Sequence, residues 1–245
     1  MYFWEYYLKS DNGIVKPMNF LQRFEPLVGI ENLKKLQNAK IAVFGLGGVG
    51  SYAVEALARS GIGHLVLIDG DVIEESNINR QLYALHSAIG KPKTEIAKMR
   101  IADINPSCIV QPCTGFILPD TFEKTLPKDF FTGLNFIIDA ADTVALKIFL
   151  AKICEEKNIP IISAMGCGNR LTADFEFADI YETVSCPLCK VMRSKLKKLN
   201  VKNLKVLYSK SPCSIKQTPP ASAAWVPSVA GLLIAGEAVK TVCEF

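Results

Sequence analysis

The sequence has 245 residues, 49% of them hydrophobic and 21% charged, with a formal net charge of +4. This composition excludes a disordered, collagen-like or proline-rich protein and provides enough apolar material for a sizeable core. No apolar run approaches the roughly 18 residues that a membrane span requires, and no signal peptide is recognisable. We therefore expect a soluble, cytoplasmic protein without a membrane partner.

Short apolar runs alternate with helical patterns over the first two thirds of the chain. Strands are predicted at 41–44, 65–68, 108–111, 136–138 and 159–163. Helices are predicted at 31–38, 51–60 and 92–104, and a fourth helix ends at 156. Apolar strands that alternate with helices at this spacing indicate βαβ units. The sequence therefore predicts a Rossmann-like α/β fold, with a mostly parallel sheet and helices on both faces.

The pattern changes after Gly168. The remaining predicted elements are strands at 173–181 and 204–208, helices at 187–199 and 228–242, and a loop at 210–224. We expect these elements to form a mixed α+β carboxyl-terminal extension of the same core. Residues 1–19 are interpreted as an amino-terminal appendage, and residues 20–245 as a single domain.

The positive charge is concentrated in one segment. Residues 190–210 contain eight basic residues and no acidic one, whereas the rest of the chain has a net charge of −4. On the predicted helix, Lys190, Arg193 and Lys197 share one face, and Lys198 follows. This asymmetry suggests a polyanionic partner, although a solvated helix face explains the pattern as well.

A glycine cluster separates the predicted strand at 41–44 from the next helix. It comprises Gly45, Gly47, Gly48 and Gly50, followed by Ser51. Glycine allows a tight turn and lets the backbone approach a phosphate, which the N-terminus of the helix then attracts. Asp69 ends the next strand, where a carboxylate can accept hydrogen bonds from a ribose. A nucleotide site is predicted, with a merely close-packed turn as the alternative; these features do not separate ATP from a nicotinamide cofactor.

Charged residues farther along favour a triphosphate. Arg80 and Lys93 place two cations after the second strand, where they would suit phosphates, although surface charge is the alternative for either alone. Asp139 and Asp142 follow the fourth strand. One of them could carry Mg²⁺ beside the phosphates, and capping of the next helix is the alternative.

Cys186 and Cys189 form a single CxxC. Zinc requires four ligands, and no second CxxC is present, so a zinc site is not favoured. We expect two buried cysteines at the start of a helix.

These motifs, taken as a set, resemble those of the ubiquitin-activating-like adenylation superfamily, which includes the ThiF, MoeB and HesA proteins. They are the glycine turn, Leu67-Ile68-Asp69 with Asp71, Asn77 with Asn79-Arg80-Gln81, Gly90-Lys91-Pro92-Lys93, Ile104-Asn105-Pro106, and Asp139 with Asp142. The match covers about residues 23–163.

One branch of this superfamily, the tRNA threonylcarbamoyladenosine dehydratases, resembles the chain over nearly its whole length. The additional motifs include Ile161-Ile162-Ser163-Ala164-Met165-Gly166, Ala178-Asp179-Ile180, Cys186-Pro187-Leu188, Val206-Leu207-Tyr208-Ser209-Lys210 and Val226-Pro227-Ser228. The resemblance implies a single adenylation domain, with a nucleotide-binding core at about 39–165 and a substrate-binding and closing-helix region at about 166–245.

The resemblance also implies an activity. ATP would adenylate the carboxylate of threonylcarbamoyladenosine in the anticodon loop of tRNA, and internal attack would then close a ring and release AMP. The implied alternative is an adenylyltransferase that activates the C-terminus of a ubiquitin-like sulfur carrier. A homodimer is implied as well, with a sulfur-relay protein as a further candidate partner.

Site residues are implied position by position. Those implied to bind ATP are Gly45, Gly47, Gly48, Gly50, Ser51, Asp69, Asp71, Asn77, Arg80, Gln81, Lys93 and Asp142. Among these, Arg80, Lys93 and Asp142 are the implied catalytic residues, and Asp142 is the implied Mg²⁺ ligand. For the tRNA, the candidates are Lys190, Arg193, Lys197 and Lys198.

Overall fold

The computed structural model describes residues 20–245, together with the backbone of two short strands that pair in antiparallel orientation, β1 (Tyr7–Leu8) and β2 (Lys16–Pro17). The rest of the predicted appendage at 1–19 lies outside the described residues.

The central sheet contains the strands that follow. They are β3 (Lys40–Phe44), β4 (His64–Asp69), β5 (Ile109–Thr114), β6 (Phe136–Asp139), β7 (Ile161–Ala164), β8 (Phe175–Asp179) and β9 (Lys205–Ser209). Their order across the sheet is β5-β4-β3-β6-β7-β9-β8. Every neighbouring pair is parallel except β8 and β9, which are antiparallel. The predicted Rossmann-like class is therefore confirmed.

Eight α-helices are present among the described residues. They are α1 (Glu25–Val28), α2 (Ile30–Asn38), α3 (Gly50–Arg59), α4 (Lys93–Ile104), α5 (Phe122–Thr125), α6 (Val144–Lys157), α7 (Pro187–Lys198) and α8 (Trp225–Cys243). The sequence did not predict the two single-turn helices, α1 and α5. A four-residue helix is too short to show an apolar period.

Alternate residues of each central strand enter different cores. In β3, Ile41 and Val43 pack in the cluster that contains residues of α3, α4 and α8, while Ala42 and Phe44 pack in the cluster that contains residues of α5 and α6. Burial on both faces explains why these strands read as continuous apolar runs rather than as alternating ones.

Local residues set the ends of two helices. α4 stops before Pro106, and the side chain of Asn105 there donates to the carbonyl oxygen of Ile62 at 3.2 Å. α6 is capped at its C-terminus by Asn158, whose left-handed φ of 53° is a conformation that Asn tolerates.

Helix α8 is longer than the helix predicted at 228–242, and its additional residues are mostly apolar. Pro227, Ser228 and Gly231 interrupt its apolar run, yet the 19-residue helix is long and apolar enough to cross a membrane. Half of it is buried in the fold, as in the core helices of soluble proteins, which meet the same criterion. A Cβ on Gly231 would lie only 2.3 Å from the carbonyl oxygen of Val49, so α8 packs closely against the start of α3.

Candidate active site

A cavity of ≈ 410 Å³ lies at the carboxyl ends of the central strands. The strand order reverses there, because β4 lies on one side of β3 and β6 on the other. In open α/β sheets, ligands bind at such a switch point. The residues that line the cavity are Phe44, Gly45, Gly47, Gly48, Val49, Ile68, Asp69, Gly70, Asp71, Asn77, Arg80, Gln81, Lys93, Gly115, Phe116, Ile117, Ala140, Ala141, Asp142, Thr143, Leu146 and Pro227.

The glycine turn connects β3 to α3 at this switch point. Gly45 has a φ of 86°, and a Cβ on it would lie 2.7 Å from the carbonyl oxygen of Ala140. Gly50 is packed still more tightly, since its Cβ would lie 1.8 Å from the carbonyl oxygen of Gly45. Only glycine fits both positions, and the turn directs the N-terminus of α3 toward the cavity, where it favours an anion.

Two of the implied nucleotide residues do not line the cavity. Gly50 is buried inside the turn, and Ser51 is completely buried. The Ser51 hydroxyl accepts a hydrogen bond from the backbone N–H of Leu82 at 3.2 Å. Both residues therefore shape the turn from behind, while the other ten implied residues line the cavity.

Asp69 is fixed at the end of β4 by two backbone donors. Its carboxylate oxygens accept from the N–H of Leu46 at 2.6 Å and from the N–H of Asp71 at 2.8 Å. Burial raises the pKa of Asp69, while Lys93 and the two N–H donors oppose the rise. The carboxylate thus faces the cavity in a fixed orientation, as ribose binding requires.

Lys93 is a buried cation in the first turn of α4. Its Nζ lies 2.6 Å from Asp71 Oδ2 and 4.0 Å from Asp69 Oδ1, and its side chain is 5% exposed. The backbone N–H of Lys93 also donates to the carbonyl oxygen of Asp71, at 3.1 Å. Side chain and backbone together hold the ammonium group at the cavity wall.

Arg80 presents a second cation from the segment between β4 and α4. Its Nη1 donates to the carbonyl oxygen of Ser76 at 2.7 Å and to Asn79 Oδ1 at 2.9 Å. Asn77 fixes the same segment, since its side-chain oxygen accepts from the backbone N–H of Glu74 at 3.2 Å. Gln81 is buried beside it and lines the cavity.

The two aspartates after β6 have opposite environments. Asp142 is exposed and lines the cavity, and its Oδ1 accepts from the Thr143 hydroxyl at 3.3 Å. Asp139 is 0% exposed, and its Oδ2 lies 3.1 Å from Lys147 Nζ. The Ser163 hydroxyl donates to the same oxygen at 2.5 Å. Asp142 is therefore the aspartate that a ligand can reach, while Asp139 joins the ends of β6 and β7.

The apolar part of the cavity was not predicted from the sequence. Phe116, which is 73% exposed, and Ile117 follow β5, and Pro227 packs against Gly48 from α8. Pro227 lies in the motif Val226-Pro227-Ser228, but that motif did not indicate a role in the cavity. For Phe116 and Ile117 the only indication in the sequence is their position just beyond the carboxyl end of a strand.

Cys186 and Cys189 are buried at the start of α7, as predicted. The neighbouring Cys189 thiol and the backbone N–H groups of Cys189, Gly166 and Leu188 lower the pKa of Cys186, against the effect of burial. Within residues 20–245, no group of three or more His, Cys, Asp or Glu side chains is arranged to hold a metal ion. The structure therefore gives no support for zinc at this CxxC.

The basic face of α7 is only partly free. Lys190, Lys197 and Lys198 are exposed, whereas Arg193 is half-buried and its guanidinium donates to the carbonyl oxygen of Thr183 at 2.8 Å. The exposed lysines remain candidates for contact with a polyanion, while Arg193 secures the loop before the helix.

Replacing Gly50 by alanine should disrupt the turn. The added methyl group cannot occupy the space of the Gly45 carbonyl, so the loop must shift, at an expected cost of about 1–3 kcal/mol in the free energy of unfolding. Nucleotide affinity should fall as well. Denaturant unfolding and calorimetric titration with ATP measure the two effects.

Gly236→Ala is the matched control, because nothing lies within 4 Å of the Cβ position at this exposed site in α8. It should stabilise the protein by about 0.5–1 kcal/mol and leave nucleotide binding unchanged. Equal effects of the two substitutions would contradict the close contact in the turn.

A doubly wound sheet, with a glycine turn, a carboxylate and two cations at its switch point, defines a nucleotide-binding α/β protein. A family model for the ThiF family matches residues 21–245. The chain belongs to the ThiF family, which confirms the resemblance drawn from its motifs.

Similar proteins extend this result. The chain is 43% identical to the tRNA threonylcarbamoyladenosine dehydratase of Bacillus subtilis, in a match that covers 91% of this chain and 94% of the relative. The crystal structure of the E. coli dehydratase TcdA in complex with ATP matches with a TM-score of 0.83 and 31% identity, covering 91% of this chain and 94% of that chain. The SAMP-activating enzyme E1 of Haloferax volcanii is 31% identical, over 55% of this chain and 48% of its own length.

Proposed function

We propose that this chain catalyses the ATP-dependent dehydration of threonylcarbamoyladenosine in tRNA, through an intermediate in which the substrate carboxylate carries AMP. The observation that carries the proposal is the cavity, in which Arg80, Lys93 and Asp142 surround the glycine turn. A dehydratase that matches 91% of the chain supports the choice of substrate. The SAMP-activating enzyme E1 matches only 55% of the chain.

The cavity residues account for the first step. A carboxylate oxygen of the substrate attacks the α-phosphorus of ATP, the bond to the β-phosphate oxygen breaks, and pyrophosphate leaves. Arg80 and Lys93 stabilise the charge that develops on the departing pyrophosphate, and the N-terminus of α3 adds its partial positive charge. Asp69 holds the ribose, so the α-phosphate is oriented toward the substrate.

The second step needs no enzyme nucleophile. An internal nucleophile of the same nucleoside attacks the activated acyl carbon, its proton passes to solvent, and AMP leaves with the carboxylate oxygen. The net result is the loss of one water from the nucleoside, with ATP converted to AMP and pyrophosphate. The buried positions of Cys186 and Cys189 agree with a reaction that forms no thioester on the enzyme.

Asp142 is the proposed ligand for Mg²⁺. Its exposed carboxylate lines the cavity and makes one side-chain hydrogen bond, which suits an ion that prefers one or two carboxylates together with phosphate oxygens. Asp139 does not fit this role, because Lys147 and Ser163 already occupy its carboxylate. When bound, the ion would neutralise phosphate charge beside Lys93.

The tRNA is proposed to contact the exposed lysines of α7. This helix begins at the edge of the sheet that also holds the cavity, since Cys186 packs in the same core cluster as Met165, just beyond β7. Lys190 lies one turn further along. A homodimer, a cytoplasmic location and a sulfur-relay partner also belong to the proposal, on the family resemblance alone.

Analysis of nucleosides tests the proposal. tRNA carrying threonylcarbamoyladenosine is incubated with the protein, ATP and Mg²⁺, and its nucleosides are then separated by mass. We expect a product lighter by one water, with AMP and pyrophosphate in equal amounts. Pyrophosphate exchange that a sulfur-carrier protein drives and modified tRNA does not would instead support the alternative activity.

Replacing Lys190, Lys197 and Lys198 by glutamine should weaken tRNA binding and flatten its salt dependence. Each lysine that no longer neutralises a phosphate lowers the slope of log Kd against log salt by up to about 0.9. Fluorescence anisotropy at several salt concentrations measures the slope, and ATP affinity should not change.

The matched control replaces three exposed lysines elsewhere, Lys98, Lys124 and Lys128, and so removes the same charge. If both triple variants weaken tRNA binding equally, net charge rather than the α7 face is responsible.

A further inference from the structure

Two chain segments form a folded rim at the carboxyl edge of the sheet, next to the cavity. They are residues 166–171, which follow β7, and residues 210–224, which follow β9. Asn169 joins them through both backbone and side chain. Its N–H donates to the carbonyl oxygen of Ala221 at 2.7 Å, its Oδ1 accepts from the Ala221 N–H at 2.9 Å, and its Nδ2 donates to the carbonyl oxygen of Gln217 at 3.0 Å.

The rim is also tied to the cavity wall. Asn79 Nδ2 donates to the carbonyl oxygen of Ser222 at 2.9 Å, and Asn79 itself accepts from Arg80. Pro227, which lines the cavity, follows the rim by three residues. A molecule that extends out of the cavity on this side must therefore pass over the rim.

Trp225 is an exposed aromatic residue that directly follows the second segment of this rim. It is 54% exposed, yet it is held in place, since its indole N–H donates to the carbonyl oxygen of Leu171 at 2.8 Å. The apolar side chains of Leu171 and Ile215 are likewise exposed, at 64% and 51%. An exposed, anchored indole loses little conformational freedom when a planar ligand stacks on it.

The surroundings of Trp225 favour an anionic partner over an apolar peptide. From residue 210 to residue 236 the sequence contains two lysines and no acidic residue. Lys210 pairs with Glu176, while Lys216 is exposed, and Trp225 begins α8, whose N-terminus carries partial positive charge. Nucleic acid loops combine phosphates with unstacked bases, and proteins bind such bases on aromatic side chains.

We infer that Trp225 is a stacking platform for an unpaired base that flanks the modified adenosine of the tRNA substrate. The inference rests on the proposed function and adds a residue that selects a single-stranded RNA loop. The nucleoside to be adenylated enters the cavity, and the neighbouring base lies over the rim on the indole ring. Trp225 contacts the RNA but takes no part in adenylation.

The substitution Trp225→Ala should raise the Kd for an RNA hairpin whose loop carries threonylcarbamoyladenosine by about 5- to 150-fold, the range measured when a base–aromatic stack is removed. Trp225→Phe keeps a ring but lacks the N–H that reaches Leu171, so it should retain most of the affinity. Leu232→Ala removes another exposed apolar side chain of α8 and should have no effect. The Kd for ATP should be the same in all variants.

Tryptophan fluorescence gives a second readout. The chain has two tryptophans, Trp4 and Trp225, so the substitution Trp4→Phe leaves Trp225 as the sole reporter. The hairpin should quench this emission, whereas a fully paired duplex of equal length should not. Equal Kd values for Trp225→Ala and the parent, or no quenching by the hairpin, would overturn the inference.

These outcomes are separable from failure of the proposed function. Conversion of modified tRNA by the parent protein, with RNA binding indifferent to Trp225, rejects the platform and keeps the dehydratase. Absence of conversion rejects the dehydratase, and the binding and quenching measurements still decide whether Trp225 stacks on RNA. A change of Trp225→Ala from dimer to monomer with unaltered RNA affinity would assign the residue to an interface between copies and also reject the platform.

Discussion

Replacing Lys93 by alanine should lower turnover of modified tRNA by about 10²–10³-fold, the cost of removing one preorganised group that stabilises charge in a transition state. Lys93 is held by Asp71 at 2.6 Å and is almost completely buried, so it needs no reorganisation to meet the leaving pyrophosphate. Water cannot replace it with equal effect. Single-turnover formation of AMP and pyrophosphate measures the loss.

Asp142→Ala should lower turnover to a similar degree, and the two losses should differ in their response to metal. Raising the Mg²⁺ concentration should partly restore Asp142→Ala, since a carboxylate ligand has been removed, but should not restore Lys93→Ala. The matched controls are Lys91→Ala, two residues before Lys93, and Asp129→Ala, both at exposed positions. Near-normal turnover in Lys93→Ala and Asp142→Ala would contradict the assignment of the site.

The second large effect concerns the buried pair of Lys147 and Asp139. Lys147 is 1% exposed, and its Nζ donates to the carbonyl oxygen of Ala164 at 2.8 Å, to Asp139 Oδ2 at 3.1 Å and to the Ser163 hydroxyl at 3.2 Å. Lys147→Met leaves the Asp139 carboxylate buried without its counter-charge. We expect the free energy of unfolding to fall by about 3–5 kcal/mol, measured by urea denaturation.

A double variant separates charge from packing. Asp139→Asn combined with Lys147→Met removes both charges and should recover part of the loss, because no buried carboxylate then lacks a partner. Lys152→Met, on the exposed side of the same helix, should cost less than about 0.5 kcal/mol. A double variant less stable than Lys147→Met would show that the Asp139 carboxylate stabilises the fold through its hydrogen bond from Ser163 by more than its unpaired charge costs.

Much of the fold follows from local sequence. β3 and β4 were predicted to within one residue at each end, since apolar runs that stop at Gly45 and Asp69 leave little choice of boundary. The glycine turn was likewise recognisable, because a tight turn before a helix N-terminus needs residues without side chains. The order of the strands, by contrast, depends on pairings between segments far apart in the chain.

Within a motif, it was harder to predict from the sequence which side chains face the cavity and which are buried in the core. Asp139 and Asp142 are three residues apart, and only the pairing of Asp139 with Ser163, across the parallel strands β6 and β7, shows that Asp139 is a core residue. Ser51 completes the glycine motif but faces Leu82 rather than the cavity. Contacts of this kind depend on tertiary packing, which short motifs do not encode.

Strand β8 runs opposite to β9, with Phe175 beside Ser209 and Asp179 beside Lys205. The chain therefore leaves β7 and enters β8 at the same edge of the sheet, and it leaves β9 there too. Insertions or deletions between 165 and 174, or between 210 and 224, would change the loops beside the cavity without disturbing the strands that hold the glycine turn. Changes in these two loops would therefore alter which substrate reaches the cavity, while the glycine turn stays the same.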